Sequence, residues 1–233
     1  MNSTYNKLNE MLITVAKALG TEMLDEVAFV GGCTTGLLLT DDFSKESVRY
    51  TDDVDLIINV VGYPKWVDFQ ERLRTKGFRE SMNDHVTCRM RLGELKVDFM
   101  PDDERILGFS NRWYTAGFSS AQPHKLEEGL TVKLLTPIFF VATKLEAYIG
   151  RGNNDPQGSH DMEDILNIFD GREEIVQEIA SADTDVRKYI AHQVGMLLEN
   201  YDFNYAVQSA ARGNKSREEL IFERLEAVKN LEK

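Results

Sequence analysis

Apolar positions recur with two different periods in the first half of the chain and with only one in the second. Leu8, Met11, Leu12, Val15, Ala16 and Leu19 return every three to four residues, which predicts a helix over 5–19 ended by Gly20. Residues 27–30 form a short apolar run halted by Gly31-Gly32, a strand, and 33–39 then fits a helix opening at that glycine pair. Residues 41–50 are polar and mixed in charge, as expected of a loop or small excursion. The β-branched run 54–61 is a strand closed by Gly62. Pro64 opens a helix with Trp66, Phe69 and Leu73 on one side and Gly77 at its stop. Residues 86–92 and 95–100 alternate as strands joined at Gly93-Glu94, and 130–134 is a further strand. Thr136-Pro137 is a helix start, with a capping hydroxyl and Pro in the first turn, and that helix runs to about residue 149. From 157 onward the pattern is helical: 159–169, 172–181, 184–199, 203–212 and 216–232. The last of these carries Leu220, Phe222, Leu225 and Val228 for packing or an oligomer contact. Strands mixed with helices and then helices alone give an expected α+β class, with a sheet domain over 1–135 followed by a helical domain over 136–233.

Length and composition narrow the picture. A chain of 233 residues, 42% hydrophobic and 28% charged, is long enough for one large domain or two small ones, with no staple needed. Twelve Phe, eight Tyr and two Trp are too much aromatic surface for a disordered chain. A net charge of −12 argues against bulk electrostatic binding to nucleic acid or an anionic membrane. It suits carboxylates that hold divalent cations. Cys33 and Cys88 are too far apart for a CxxC pair and the four histidines are scattered, so a zinc site is not expected. The N-terminus has no basic stretch leading into an apolar core, and no apolar run reaches the ~18 residues of a membrane span. The expectation is a cytoplasmic protein with reduced thiols and no membrane partner.

The candidate chemistry lies in three segments. One strand ends in Gly31-Gly32, a second opens with Asp53-Val54-Asp55, and a third holds Lys96-Val97-Asp98-Phe99. Side chains alternate along a strand, so Asp53 and Asp55 share a face, roughly 6.5–7 Å apart. If the strand bearing Asp98 lies beside them, three carboxylates converge. Such a cluster is unfavourable unless a cation neutralises it, and hard oxygen ligands select Mg²⁺ or Mn²⁺. The glycine pair lets backbone approach a phosphate closely. The complementary expectation is that any of the three side chains turned to bulk solvent, or plugged by a neighbouring cation such as lysine, would overturn the enzymatic reading.

These segments, FVGG, TDDVDLII and KVDFMP, resemble the core signature of the nucleotidyltransferase (polymerase β-like) superfamily. Lys144-Leu-Glu-Ala, Arg151-Gly and His160-Asp161-Met-Glu-Asp164-Ile resemble the C-terminal motifs of its AbiEii/MenT-type toxin group. The resemblance spans residues 27–170. It implies a nucleotidyltransferase-like mixed sheet and transfer of an NMP from an NTP to a hydroxyl, with pyrophosphate released. It assigns Asp53, Asp55 and Asp98 to catalysis and to two Mg²⁺ ions, with Mn²⁺ an alternative. It places Gly31, Gly32, Thr34, Arg49, Lys144 and Asp161 at the nucleotide, Arg49 and Thr51 matching the group's RxTxDxD style. The implied acceptor is tRNA or a protein, and the implied partner a cognate antitoxin. A small-molecule acceptor of aminoglycoside type is the alternative, and a non-catalytic nucleotide-binding or antitoxin-like module is the competing class. Two features depart from the family pattern. Twenty residues separate Gly32 from Asp53, a longer interval than usual, and Cys33 stands where a hydroxyl often helps hold phosphate.

Overall fold

The computed structural model describes residues 3–60, 62–108 and 110–232. The chain divides into two compact units, Met1–Thr34 with Arg49–Thr136, and Thr35–Val48 with Pro137–Lys233. It starts with α1 (Thr4–Leu24), capped by Ser3, whose hydroxyl accepts from the Asn6 amide. Gly20 leaves the helical path at φ 71°, ψ 166°, but a further turn continues to Leu24, so the helix does not stop where its glycine suggests. Then come β1 (Val27–Val30), a 3-10 turn (Gly32–Thr34), α2 (Thr35–Leu38), α3 (Asp42–Lys45), β2 (Asp53–Ile58) and α4 (Tyr63–Thr75). The hairpin β3 (Arg89–Leu92) and β4 (Leu95–Pro101) follows, then α5 (Glu104–Leu107), α6 (Tyr114–Ser120), and the hairpin β5 (Gln122–Glu127) and β6 (Leu130–Leu134).

The six strands form one mixed sheet in the order β3-β4-β2-β1-β6-β5. Its register follows from burial. Val54 and Leu56 on β2, and Val97 and Phe99 on β4, are buried. Phe99 packs edge-on against Phe69 of α4 at 6.0 Å and against Phe78 at 5.3 Å. A slip of one residue would expose that apolar set, so alternation holds Asp53, Asp55 and Asp98 on the other face.

Several sequence expectations change here. The strand over 54–61 ends at Ile58, and Val61 lies outside the described residues. The strand over 86–92 begins only at Arg89, because the Val86 carbonyl accepts from the Arg89 amide (3.1 Å) and closes a turn. Strand β5 was not legible because it is an edge strand whose Gln122, Pro123, His124 and Lys125 carry no apolar alternation.

The second unit contains α2 and α3 together with α7 (Pro137–Arg151), α8 (His160–Gly171), α9 (Ile175–Ala180), α10 (Thr184–Leu198), α11 (Tyr201–Ala210), α12 (Lys215–Lys229) and a closing turn. Segment 35–48 therefore does not belong with the rest of 1–135. The amides of Thr40 and Asp41 both donate to the Gly171 carbonyl at 2.9 Å, which ties the segment to the end of α8. The Thr136 hydroxyl, expected to cap α7, is buried without a hydrogen-bond partner among the described residues. On α12 the buried stripe is Ile221, Leu225 and Val228, with Leu220 and Phe222 at its flanks, as a 3.6-residue period requires. Among the described residues, no helix is long and apolar enough to cross a membrane.

Arg217 fastens segment 35–48 from the side of α12. Its guanidinium donates to Asp170 (2.6 Å), to Asp41 (2.9 Å) and to the Ser44 hydroxyl, which itself donates to Asp41 at 2.6 Å. The Ser44 bond first, and then Arg217, hold the Asp41 carboxyl down from 3.8 to about 2. A carboxylate depressed in the folded state stabilises fully above its unfolded value, and that stability is lost as pH falls through the folded one. Urea midpoints of wild type are therefore expected to drop more steeply between about pH 4 and pH 2 than those of Asp41→Asn. Parallel curves would show that this contact contributes nothing.

Candidate functional site

Sheet pairing assembles the site one row at a time. β2 and β4 run parallel with Asp55 opposite Asp98, and β1 runs antiparallel to β2 with Val30 opposite Asp55. Residues opposite one another share a face, so Asp55 and Asp98 meet, and Asp53 joins them two residues along. One carboxylate oxygen from each of the three lies within 4.8 Å of the others. The Thr51 hydroxyl donates to Asp53 Oδ1 and fixes that carboxylate at the strand entrance.

Gly31, the residue after the Val30–Asp55 pair, shapes the other side. It sits at φ +79°, in the left-handed region. A Cβ there would overlap Asp55 Oδ2 and lie 2.6 Å from its Cγ, so the carboxylate occupies space that any other residue would fill. The rest of the turn is committed to itself. The Thr34 hydroxyl donates to the Gly31 carbonyl at 2.8 Å, and the Thr34 amide does so at 3.0 Å. A hydroxyl has one proton, so Thr34 as it stands does not offer it to a phosphate. Gly32 is buried within the same turn. Cys33 is a core residue, its thiol turned to the Leu8 carbonyl (3.5 Å); burial first, then the charges of Asp55 and Asp53, push its pKa far up, and Arg49 opposes them. Cys88 is also buried and is pushed up to about 12, by burial first and then by Asp98 and Asp55. Both thiols are free.

One residue of this site escaped the sequence reading. Arg89 stands opposite Asp98 on β3. Its Nε donates to Asp98 Oδ1 (2.7 Å), and its Nη2 donates to Asp98 Oδ2 (2.8 Å) and Asp53 Oδ2 (3.1 Å). These bonds, led by those to Asp98, hold the guanidinium more firmly protonated than usual. The signal was present. A two-residue Gly93-Glu94 turn pairs Leu92 with Leu95, and counting back along the hairpin puts 89 across from 98. Lys96, opposite Asp53 in register, gives its ammonium to Asp52 at 2.6 Å.

Of the basic residues expected at the nucleotide, Arg49 belongs to the first unit, whereas Lys144 lies in the second and, like Arg151, has carboxylate partners there. Lys144 of α7 is buried and reaches Asp161 at 3.0 Å and Asp164 at 2.7 Å, while Arg151 forks onto Asp161 at 2.7 and 2.8 Å. The spacing of seven does put Lys144 and Arg151 on one face, and what gathers them is α8. Ser159 caps that helix, accepting from the Met162 amide, as its sequence suggests. Burial acts to raise the Asp161 pKa, but the bonds and charges of Arg151 and Lys144 outweigh it and hold the carboxyl below its usual range. Elsewhere the basic run of α4 is spoken for, Arg72 by Glu26 (2.5 Å) and Arg74 by Glu80 (2.5 Å). Trp113 is buried, with the Arg112 guanidinium 5.0 Å from its ring centre, a packing role.

As a donor set, the Asp53, Asp55 and Asp98 cluster offers carboxylate oxygens alone, the ligand type of Mg²⁺ and Mn²⁺, beside a turn whose missing Cβ leaves room for Asp55. These residues fit a divalent cation. No protein-family model matches the chain, and no curated protein matches it.

Proposed function

We propose that the protein is a divalent-metal-dependent nucleotidyltransferase of the polymerase β-like type. The observation that supports this best is the convergence of three carboxylates within 4.8 Å on one face of a mixed sheet, directly beside a left-handed glycine turn. Asp53, Asp55 and Asp98 would hold the cation. When bound, such a cation neutralises charge that builds on the transferring phosphoryl group and lowers the pKa of an acceptor hydroxyl. The chain's own part is to fix the carboxylates by strand register, to orient Asp53 through Thr51, and to clear backbone at Gly31. Asp98, on the neighbouring strand β4, would take up the acceptor's proton. The co-substrate is an NTP, and the acceptor is a hydroxyl of tRNA or protein, as in a toxin with a cognate antitoxin, or of an aminoglycoside-like small molecule.

The test is transfer from labelled NTPs to cellular RNA, protein or small acceptors in Mg²⁺. Asp55→Asn removes one cation ligand without changing volume and is expected to lower transfer at least about 10²-fold, the size of roughly 3 kcal/mol of lost charge stabilisation. Equal labelling by wild type and variant would end the proposal.

One observation favours a second reading, a non-catalytic module: the guanidinium of Arg89 already sits on Asp98 and Asp53. A permanent ion pair there would lock the cluster. Calorimetry separates the two, because a locked cluster shows no Mn²⁺ uptake that Asp55→Asn removes.

A further inference from the structure

Arg89 sits at the boundary between those readings. We propose that it is an exchangeable counter-ion. It neutralises the carboxylates when no divalent cation is held, competes with the cation for Asp98 and Asp53, and once displaced serves as the positive contact for a substrate phosphate. This rests on reading the three carboxylates as a cation site.

Three features support exchange over a fixed clamp. The first is stoichiometric. Three carboxylates carry three negative charges, and the Arg89 guanidinium brings one positive charge to two of them. Its bonds go to Asp98 and Asp53, two of the three residues that a cation held by the cluster would need. The second is location. β3 is the outermost strand of the sheet and only four residues long, and beyond it the described residues add a single bridge, Arg79 to Arg91, which leaves Arg89 outside it. The side chains of Arg89 and Asp98 are 14% and 10% exposed and that of Asp53 26%, so the group reaches water at its Asp53 end. The third is chemistry. A guanidinium forks onto carboxylate and phosphate with the same planar geometry, so the group released by Asp98 is suited to a phosphate arriving with the metal. Strand register holds its backbone beside Asp98 in either case. The exchange breaks and makes no covalent bond.

Mn²⁺ alone serves as the probe, read by calorimetry on the full chain for wild type, Arg89→Gln, Arg89→Lys and Asp55→Asn. Arg89→Gln is expected to bind Mn²⁺ at least about ten-fold more tightly than wild type, the scale on which groups around a metal's ligands alter affinity. Arg89→Lys, a point charge without the fork, should fall between the two. Thermal denaturation gives the same ordering independently. Arg89→Gln should be less stable than wild type without metal and gain the larger increase in Tm from saturating Mn²⁺. Unchanged Mn²⁺ affinity in both Arg89 variants, with Asp55→Asn still abolishing binding, overturns the competition while leaving the cation site intact. Absence of Mn²⁺ binding in every protein overturns the exchange and the cation site together. Tighter binding in Arg89→Gln with no NTP transfer in any protein upholds the exchange and removes the enzymatic proposal.

Discussion

Lys144→Met is expected to destabilise the protein by about 3–5 kcal/mol, the usual cost of removing one partner from a buried ion pair. The side chains of Lys144, Asp161 and Asp164 are 9%, 6% and 0% exposed. Methionine fills the volume but leaves two carboxylates facing the space the ammonium held. Arg151 does not replace it, because its side chain is 71% exposed and it bonds to Asp161. For Asp164 the Thr35 hydroxyl is a weak donor at 3.3 Å. Adding Asp161→Asn and Asp164→Asn to Lys144→Met should recover much of the loss, since the buried charges are then gone. Urea unfolding of the single and triple variants decides this. A change below about 1 kcal/mol in Lys144→Met would mean that Lys144 does not anchor this unit, and its role would then be sought in ligand contact.

Gly31→Ala is expected to damage the cation site more than its small size suggests. A non-glycine residue in the left-handed region costs about 1–2 kcal/mol. The larger effect is positional, because the new methyl would overlap Asp55 Oδ2 and force the carboxylate off its place. Mn²⁺ affinity should fall about 10–100-fold, the range for disturbing how a ligand is held. Gly93→Ala is the matched control. Gly93 has φ +60° and nothing within 4 Å of where a Cβ would stand, so it carries the backbone penalty without the collision. If the two variants lose equal Mn²⁺ affinity, the Gly31–Asp55 contact has no part in cation binding.

The elements that the sequence predicts well are those whose periodicity serves one buried face. α4 shows this with Trp66, Phe69 and Leu73, and α8 with its Ser159 cap. The elements it obscures lack that signature. β5 is a polar edge, α6 buries only Gly117, and 86–88 alternates like a strand yet turns. At the candidate site, the shared face of Asp53 and Asp55 was legible because strand alternation is a local rule, whereas Asp98 joins them through the pairing of β2 with β4, which the sequence left as a condition. The commitment of Thr34 to its own turn and the burial of Cys33 against α1 were not, because both depend on where the chain goes after Gly32.

Lys144 and Arg151 show the same division. Their shared helix face follows from spacing, whereas their partners on α8 depend on how two helices pack. The sequence by itself determined that strands and helices precede an all-helical part and that Asp53 and Asp55 share one face of their strand, since residue periodicity is a local property. Only the tertiary structure decided that 35–48 joins the helical unit and that Arg89 rests on the carboxylates. Electrostatic neutralisation is a matter of proximity in space, which local pattern does not encode except where a hairpin turn happens to count it out.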